Sequence, residues 1–309
     1  MSSNFLDRRS TSNTDGRSLL LPEGEWQHIT VNAGGANFHL AQMGPADGEP
    51  VMLLHSFPRT WYSMRHLLVH LAAEGYRVWA MDLRGFGSSD LQPHGQDPVR
   101  MAADVTAVLG RLNVAKAHII GEGMGGIFGW ILAATNPRVV ASLMSIAQPH
   151  PLNLERSSPS PFSAAGRTAM KIRAPWFNVR NLRSGKIVAD AADYWAAPQN
   201  RSKLQADERV YRYAFSRPFA TETALEAVIR ANSLTRRTRA RIDTIVDMPV
   251  SRVICLQDGL RPPKTFLRDQ QWAKQPITTF QLDCGHFPTE EAPEQLNEAV
   301  LNHLKACTD

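Results

Sequence analysis

Short apolar runs that alternate with helical patterns constrain the fold of this chain more than any other feature of its sequence. Two strand-like runs, WQHITVN and NFHLAQM, flank the turn signal AGGA, and four more follow: PVMLLHSF, RVWAMDL, AKAHIIG and VVASLMSIA. Helical patterns lie between the later runs and after them, at 62–74, 98–113 and 124–136. Such alternation is typical of a mostly parallel sheet flanked by helices, so we predict an α/β fold.

The alternation stops at QPHPLNLERSSPSPFS and returns only at PVSRVICL. The intervening stretch is rich in Arg and Ala and has helical character without a clear strand. Beyond it come a helical pattern at 264–274, the strand-like run ITTFQLDC and a closing helix that begins with EEAPEQLNEAVLNHL. We therefore predict a core made of 25–150 and 240–309, a helical insertion over 151–239, and a flexible N-terminal tail over 1–24.

The composition is that of an ordinary globular protein, with 43% hydrophobic and 20% charged residues among 309. No apolar run approaches the roughly 20 residues that a bilayer requires, and the first residues, MSSNFLDRRSTSNTDGRS, lack the apolar segment of a secretory signal. The net charge of +5 is modest, and no Lys/Arg run has interleaved aromatic residues. We therefore predict neither a membrane nor a nucleic-acid partner.

The three cysteines indicate a compartment rather than a site. Cys255, Cys284 and Cys307 are odd in number and lack the spacing of metal ligands. Unpaired cysteines are typical of a reducing compartment. The sequence thus predicts a cytoplasmic protein without a bound metal.

The segment AHIIGEGMGGIFGW permits two interpretations of the same glycines. Gly121, Gly123 and Gly126 have the spacing of a dinucleotide-binding turn, and they also fit a small-x-nucleophile-x-small turn between a strand and a helix. A dinucleotide turn normally lies in the first strand–helix unit and is followed about 20 residues later by an acidic residue. Here the turn follows the fifth strand-like run, and no Asp or Glu occurs from Met124 to Leu154. The nucleophile turn is therefore the better interpretation.

Three segments, in this order, resemble one family. LLHSFPRTWYSMRHLLVHLAAEGYRVWAMDLRGFGSSD, over 53–90, is similar to the HGFP and DLRGFGxSD motifs of α/β-hydrolases of the epoxide hydrolase and haloalkane or haloacid dehalogenase group. IIGEGMGGIFGWILAATNPRVVASLMSIAQPHP, over 119–151, resembles their nucleophile segment. CGHFPTEEAPEQLNEAVLNHL, over 284–304, resembles their catalytic-histidine segment and last helix. The resemblance spans nearly all of 25–306 and implies an α/β-hydrolase fold in which 151–239 forms a cap domain.

The resemblance also implies roles for individual residues. His286 in CGHFP matches the general base of the family, and Asp258 matches the acid behind it, although Cys255 replaces a family glycine nearby. A simple turn aspartate is the alternative for Asp258. Phe57 and Met124 match the two residues whose backbone N–H groups form an oxyanion hole.

The chain departs from the family at the nucleophile. Gly123 stands where the family has Asp or Ser, Glu122 replaces the preceding His, and Ser56 replaces the glycine of HGFP. Ile229 stands where epoxide hydrolases have a cap tyrosine that polarises the epoxide oxygen. Glycine accepts a positive φ without strain, so the turn keeps its shape while it loses covalent chemistry.

Three functions remain open on these grounds. The first is an enzyme that uses His286 and Asp258 for general-base catalysis on a small organic substrate, aromatic or anionic, as a lyase, isomerase, cyclase or water-activating hydrolase. The second is a non-catalytic pseudohydrolase that binds a ligand or partner. The third is an ordinary epoxide hydrolase or esterase whose nucleophile was substituted. None of the three requires a cofactor.

A small-molecule substrate is the expected partner, and the sequence leaves a homodimer open. The candidate substrate-binding residues lie in the three segments and in the predicted cap: His55, Trp61, Glu122, His150 and Trp176. For Glu122 the alternative is a flanking residue that points away from the pocket. For Trp176 the alternative is an ordinary core position.

Overall fold

Eight strands form one sheet in the computed structural model, which describes residues 16–92, 95–156, 162, 166–167, 170, 172 and 175–308. The strands are β1 (Gln27–Ala33), β2 (Ala36–Met43), β3 (Pro50–Leu54), β4 (Arg77–Met81), β5 (Ala117–Glu122), β6 (Val140–Ile146), β7 (Val250–Cys255) and β8 (Thr278–Leu282). They are ordered β1-β2-β4-β3-β5-β6-β7-β8. β2 runs antiparallel to β1 and β4, and all other neighbours run parallel. The predicted α/β fold with a mostly parallel sheet is confirmed.

The direction of the strands decides where a site forms. β3 lies between β4 and β5, with Leu54 opposite Met81 on one side and Gly121 on the other. Because β3 to β8 are parallel, the loops that follow β3, β5, β7 and β8 all leave the same edge of the sheet. Ligands bind at this edge in open α/β sheets.

Helices cover both faces of the sheet. They are α1 (Gly16–Leu20), α2 (Arg65–Ala73), α3 (Pro98–Arg111), α4 (Met124–Thr135), α5 (Pro175–Arg183), α6 (Lys186–Tyr194), α7 (Arg201–Ala206), α8 (Glu208–Ser216), α9 (Ala220–Ala231), α10 (Arg236–Ile242), α11 (Pro288–Glu291) and α12 (Pro293–Thr308). α2 and α12 pack together on one face, and α3 and α4 pack together on the other. The central strands are buried on both sides, which is why they are continuous apolar runs rather than alternating ones.

The helices α5 to α10 lie between β6 and β7. In the structure, the term helical insertion denotes all residues between these two strands, 147–249, and so includes the predicted 151–239. α6 is amphipathic and buries Ile187, Val188 and Ala191. α9 buries a face of small residues against α3 and α4. These contacts join the helical insertion to the hydrophobic core on the α3–α4 side of the sheet.

Two predicted helices differ from the structure. The pattern at 264–274 forms two short 3₁₀ turns, Pro263–Phe266 and Asp269–Trp272, instead of a helix. The Asp269 carboxylate accepts a hydrogen bond from the backbone N–H of His150, so this segment is shaped by a distant part of the chain.

The closing helix is divided into α11 and α12. Pro293 has no N–H group and disfavours a helical conformation in the residue before it. Ala292 accordingly leaves the helical region, with φ −141° and ψ 54°. The sequence therefore predicted the helical segment but not its interruption.

Residues 16–24, the described part of the predicted tail, contain the helix α1. Residues 1–15 lie outside the described part of the structure. Within 16–24, α1 contacts α8, and the Leu20 carbonyl accepts a hydrogen bond from the Trp61 indole. Nowhere in the described chain does a helix combine the length and apolar character needed to cross a bilayer.

Candidate active site

A tight turn at Gly123 joins the end of β5 to the start of α4. Gly123 has φ +51° and ψ −112°, a conformation that residues with a side chain rarely adopt. A Cβ on Gly121 would overlap the backbone of Gly125, and a Cβ on Gly125 would overlap the backbone of Leu54. The small residues therefore allow the strand and the helix to approach closely.

The space beside Gly123 is taken by Ser56 and faces His286. A Cβ on Gly123 would overlap the Ser56 hydroxyl and would lie 3.0 Å from Ser56 Cβ. The same Cβ would lie 3.4 Å from His286 Nε2. Ser56 therefore occupies the volume that a side chain at position 123 would use.

His286 and Asp258 form a buried pair. His286 Nδ1 donates to Asp258 Oδ2 at 2.8 Å, with the two side chains 3% and 0% exposed. Asp258 Oδ1 accepts from the backbone N–H groups of Leu260 and Arg261 at 2.7 and 2.8 Å. The carboxylate can only accept, so it holds a proton on Nδ1 and leaves Nε2 as the basic nitrogen. The contact predicted between the two residues is present.

Glu291 holds the loop that carries this histidine. Its Oε1 accepts from the backbone N–H of Phe287 at 2.9 Å. Its Oε2 accepts from the N–H groups of Gly285 at 2.8 Å and Ala197 at 2.9 Å. One carboxylate thus binds the loop after β8 to the helical insertion.

His55 holds the loop after β3. Its Nδ1 donates to the carbonyl of Ser56 at 2.8 Å, and its Nε2 accepts from the N–H of Leu83 at 3.2 Å. Burial lowers the pKa of His55, which favours the neutral ring that this pair of hydrogen bonds requires. His55 does not line the cavity described below. Its two hydrogen bonds instead hold the Ser56–Phe57 segment in position.

Two backbone N–H groups lie next to this turn. Met124 is the first residue of α4, and the first N–H groups of a helix have no acceptor within it. In the part of the chain that the structure describes, neither the Met124 N–H nor the Phe57 N–H has a hydrogen-bond partner. Such groups favour negative charge, as does a helix N-terminus.

A cavity of about 90 Å³ lies between this edge of the sheet and the helical insertion. No tyrosine lines it among the described residues. Most of its walls are apolar, which suits a small organic molecule. The core contributes Ser56, Gly123 and His286, and the insertion contributes Trp195, Val228 and Ile229.

Two predicted substrate-binding residues lie in the core instead. Trp61 is fully buried, and its ring packs edge-on against Trp26. His150 stacks on Trp272 with ring centroids 3.9 Å apart, and burial lowers its pKa to about 3. Neither residue is among the described residues that line the cavity. The structure corrects both predictions, because core packing uses both rings.

Glu122 is buried and does not line the cavity. Its Oε1 accepts from the Thr289 hydroxyl at 2.8 Å and from the Thr289 N–H at 3.3 Å. Burial, opposed by the Thr289 hydrogen bonds and reinforced by the charge of Glu290, raises the pKa of Glu122 to about 8. The structure favours the interpretation of Glu122 as a flanking residue. The side chain of Trp176, the remaining candidate, lies outside the described part of the structure.

Sequence reasoning missed four polar residues among those described as lining the cavity: Ser56, Gln148, Asn232 and Arg261. Asn232 and Arg261 line it and are joined by a hydrogen bond of 3.0 Å from Arg261 Nη2 to Asn232 Oδ1. Their positions had no signal in the sequence. Ser56 did have one, because the resemblance described above predicts a glycine at position 56 and a nucleophile at position 123, where the chain has serine and glycine.

Comparisons with known proteins agree with this architecture. A family profile described as alpha/beta hydrolase fold matches residues 49–293. The AB hydrolase superfamily protein YfhM of Bacillus subtilis is 28% identical over 284 residues, which cover 89% of this chain and 96% of that protein. Epoxide hydrolase 4 of Mus musculus is 31% identical over 204 residues, 62% of this chain and 56% of that protein. Epoxide hydrolase 3 of Siraitia grosvenorii is 34% identical over 145 residues, 46% of this chain and 44% of that protein.

Solved structures have the same fold. Cfl2 from Burkholderia cenocepacia has a TM-score of 0.79 at 24% identity, covering 90% of this chain and 95% of that one. Epoxide Hydrolase A from Mycobacterium thermoresistibile has a TM-score of 0.74 at 20% identity, covering 91% of this chain and 98% of that one. At such identities the likeness shows the fold alone. The sheet order, the turn after β5 and the family match over most of the chain lead to one conclusion: the chain belongs to the alpha/beta hydrolase fold family and is similar in sequence to epoxide hydrolases.

Proposed function

We propose that the chain is an enzyme in which His286, oriented by Asp258, acts as a general base on a small, largely apolar substrate, with no covalent bond formed at residue 123. The observation that carries the proposal is the buried Asp258–His286 hydrogen bond of 2.8 Å, on a histidine that lines the cavity beside Gly123. A general base must lie within hydrogen-bond reach of the proton that it removes. A histidine in the cavity wall meets that condition for a molecule bound there.

The backbone N–H groups of Phe57 and Met124 would stabilise negative charge that forms on the substrate during the reaction. When a base removes a proton, or a nucleophile attacks a carbonyl group, negative charge develops on a substrate oxygen. The N–H groups of Phe57, in the loop after β3, and of Met124, at the start of α4, belong to residues that line the cavity, and they suit the stabilisation of that charge. Gly123 supplies no side chain that could form an ester with the substrate.

Asp258 favours catalysis over simple binding. A buried carboxylate is unfavourable unless hydrogen bonds compensate its lost hydration. Here three N–H groups, including the histidine ring, provide that compensation. A cavity that only bound an apolar ligand would have no chemical use for this arrangement.

The test compares turnover of a panel of p-nitrophenyl esters and small epoxides by wild-type protein and variants. We expect His286→Ala to reduce kcat/KM to background for every compound that is turned over. Asp258→Asn should reduce it by about 10²–10⁴-fold, because the ring loses its orientation and charge partner. The matched control is His66→Ala, which removes an exposed histidine of α2 and should retain wild-type rates.

Two outcomes would contradict the proposal. One is a folded His286→Ala variant, checked by circular dichroism, that keeps wild-type turnover. The other is a wild-type protein that binds members of the panel but converts none of them, which would support a binding function.

A further inference from the structure

The Ser56 hydroxyl occupies the position that a side chain on residue 123 would take, and His286 Nε2 lies close to that position. The point at which a Cβ on Gly123 would overlap Ser56 Oγ is 3.4 Å from His286 Nε2, so the hydroxyl and the imidazole border the same small volume. Both residues line the cavity. The hydroxyl has only a long hydrogen bond of its own among the described residues, to the Phe57 carbonyl at 3.3 Å.

We propose that Ser56 is the nucleophile of this site and that the substrates are small carboxylic esters. This inference rests on the proposed function, because it needs His286 as the base. It adds a covalent intermediate at a residue on the loop after β3, opposite the turn where the family carries its nucleophile.

The reaction balances with water as the only co-reactant. His286 Nε2 takes the hydroxyl proton while Ser56 Oγ forms a bond to the ester carbonyl carbon, and the carbonyl electron pair moves to the oxygen. That oxyanion accepts from the N–H groups of Phe57 and Met124. The bond to the alkoxy group then breaks, and the alkoxy oxygen takes the proton from His286. Water repeats the sequence on the acyl-serine, which releases a carboxylic acid and restores the hydroxyl.

Two hydrogen bonds hold the backbone of Ser56 in place, as a nucleophile requires. The His55 ring donates to the Ser56 carbonyl at 2.8 Å, and the Arg59 N–H donates to the same carbonyl at 3.1 Å. Ser56 is 1% exposed, so bulk water does not surround the hydroxyl. A fixed and desolvated hydroxyl beside a base lowers the entropy lost on reaching the transition state.

The ester class follows from the cavity. A hydroxyl oxygen, a base and two backbone N–H groups, all from residues that line one cavity, are the parts that acyl transfer needs. The apolar walls from Trp195, Val228 and Ile229 suit a hydrocarbon acyl or alcohol group. No tyrosine among the described lining residues is available to polarise an epoxide oxygen.

The decisive experiment is labelling with an alkyl fluorophosphonate, followed by peptide mapping by mass spectrometry. We expect one phosphonyl group on the peptide that contains Ser56, with fluoride as the leaving group and His286 as the proton acceptor. Ser56→Ala should remove the label. Ser63→Ala is the matched control, because the Ser63 hydroxyl is buried nearby but donates to the Thr60 carbonyl and does not line the cavity.

Variants separate this inference from the proposed function. His286→Ala should slow labelling of Ser56 by about 10²-fold or more. Ser56→Cys keeps a nucleophile at the same place, so p-nitrophenyl acetate should leave an acetyl group on residue 56 of that variant.

The inference is overturned if wild-type protein carries no label at Ser56, or if Ser56→Ala, folded by circular dichroism, hydrolyses p-nitrophenyl acetate at the wild-type rate. If His286→Ala is inactive in that same assay, water is the nucleophile and the proposed function stands. If His286→Ala labels as fast as wild type, the base assignment fails as well.

Discussion

At the scale of single residues, Gly123 and Ser56 are matched to each other. The positive φ of Gly123 disfavours any side chain, and the Ser56 hydroxyl fills the volume that such a side chain would enter. Each residue therefore restricts what the other position accepts.

A double-mutant cycle tests this match. Gly123→Ser should lower the free energy of unfolding by more than the roughly 1–3 kcal/mol expected from backbone strain, because its Cβ also overlaps Ser56. Ser56→Gly combined with Gly123→Ser should be less destabilising than the sum of the single changes, by about 1 kcal/mol or more. Urea unfolding measures all three variants.

Gly35→Ser is the matched control for strain alone. Gly35 has φ +77°, and a Cβ there meets no atom within 4 Å. Its effect on the free energy of unfolding should be smaller than that of Gly123→Ser. Strict additivity in the cycle would show that positions 56 and 123 do not compete for space.

At the scale of elements, α11 joins the edge of the sheet that carries His286 to the helical insertion. Glu290 accepts from Arg59 Nε and from the Tyr211 hydroxyl, both at 2.6 Å, and so connects the loop after β3 with α8. Burial raises the pKa of Tyr211 well above its ordinary value, which keeps this phenol as a donor. Glu291 holds the loop that carries His286.

Glu291→Gln should disturb the position of His286. In the wild type both oxygens of Glu291 accept hydrogen bonds from backbone N–H groups. The glutamine amide keeps one of these oxygens and replaces the other with an NH₂ group, which cannot accept, so at least one backbone N–H would lose its acceptor. We expect a loss of about 1–3 kcal/mol in unfolding free energy. We also expect fluorophosphonate labelling to slow by about tenfold or more, because misplacement of a catalytic group lowers the rate steeply.

Glu294→Gln is the control, since Glu294 is exposed on α12. It should behave as wild type in both measurements. A Glu291→Gln variant with lowered stability but an unchanged labelling rate would show that Glu291 supports the fold without positioning the histidine.

At the scale of the whole molecule, the buried acids make stability depend on pH. Glu122 has its pKa raised from 4.5 to about 8 by burial. Between these values the unfolded chain releases its proton while the folded protein keeps it, so the folded state loses stability as the pH rises. Asp269, with a pKa raised by burial to about 6, adds a slope of the same sign at lower pH.

Glu122→Gln should remove the contribution of Glu122. Measured by urea unfolding from pH 4 to pH 9, the stability of the variant relative to wild type should rise between about pH 4.5 and pH 8, by at most about 1.4 kcal/mol per pH unit. It should be constant outside that window. Asp269 cancels in the comparison because both proteins retain it.

The exposed Glu74→Gln serves as the control and should follow the wild-type curve. A difference between Glu122→Gln and wild type that does not change with pH would contradict the neutral form of Glu122 in the folded protein.

Much of the fold and part of the site follow from the sequence alone. The alternation of apolar runs and helical patterns determined the α/β class, because strand and helix periodicities are local properties of the chain. The order of the motifs predicted that Asp258 and His286 would meet, and that Gly123 would form the turn after β5. These predictions succeed because parallel strands bring the loops after them to one edge, whatever the details of packing.

Only the tertiary structure decided what surrounds those residues. Ser56 and Gly123 are far apart in sequence, so no local pattern shows that they share one volume. Trp61 begins a short 3₁₀ helix and His150 lies in the loop after β6, yet both rings pack in the core. The sequence by itself therefore determined the sheet and the meeting of Asp258 with His286. The cavity walls, the raised pKa of Glu122 and the place of Ser56 depend on contacts between distant segments, which exist only once the chain has folded.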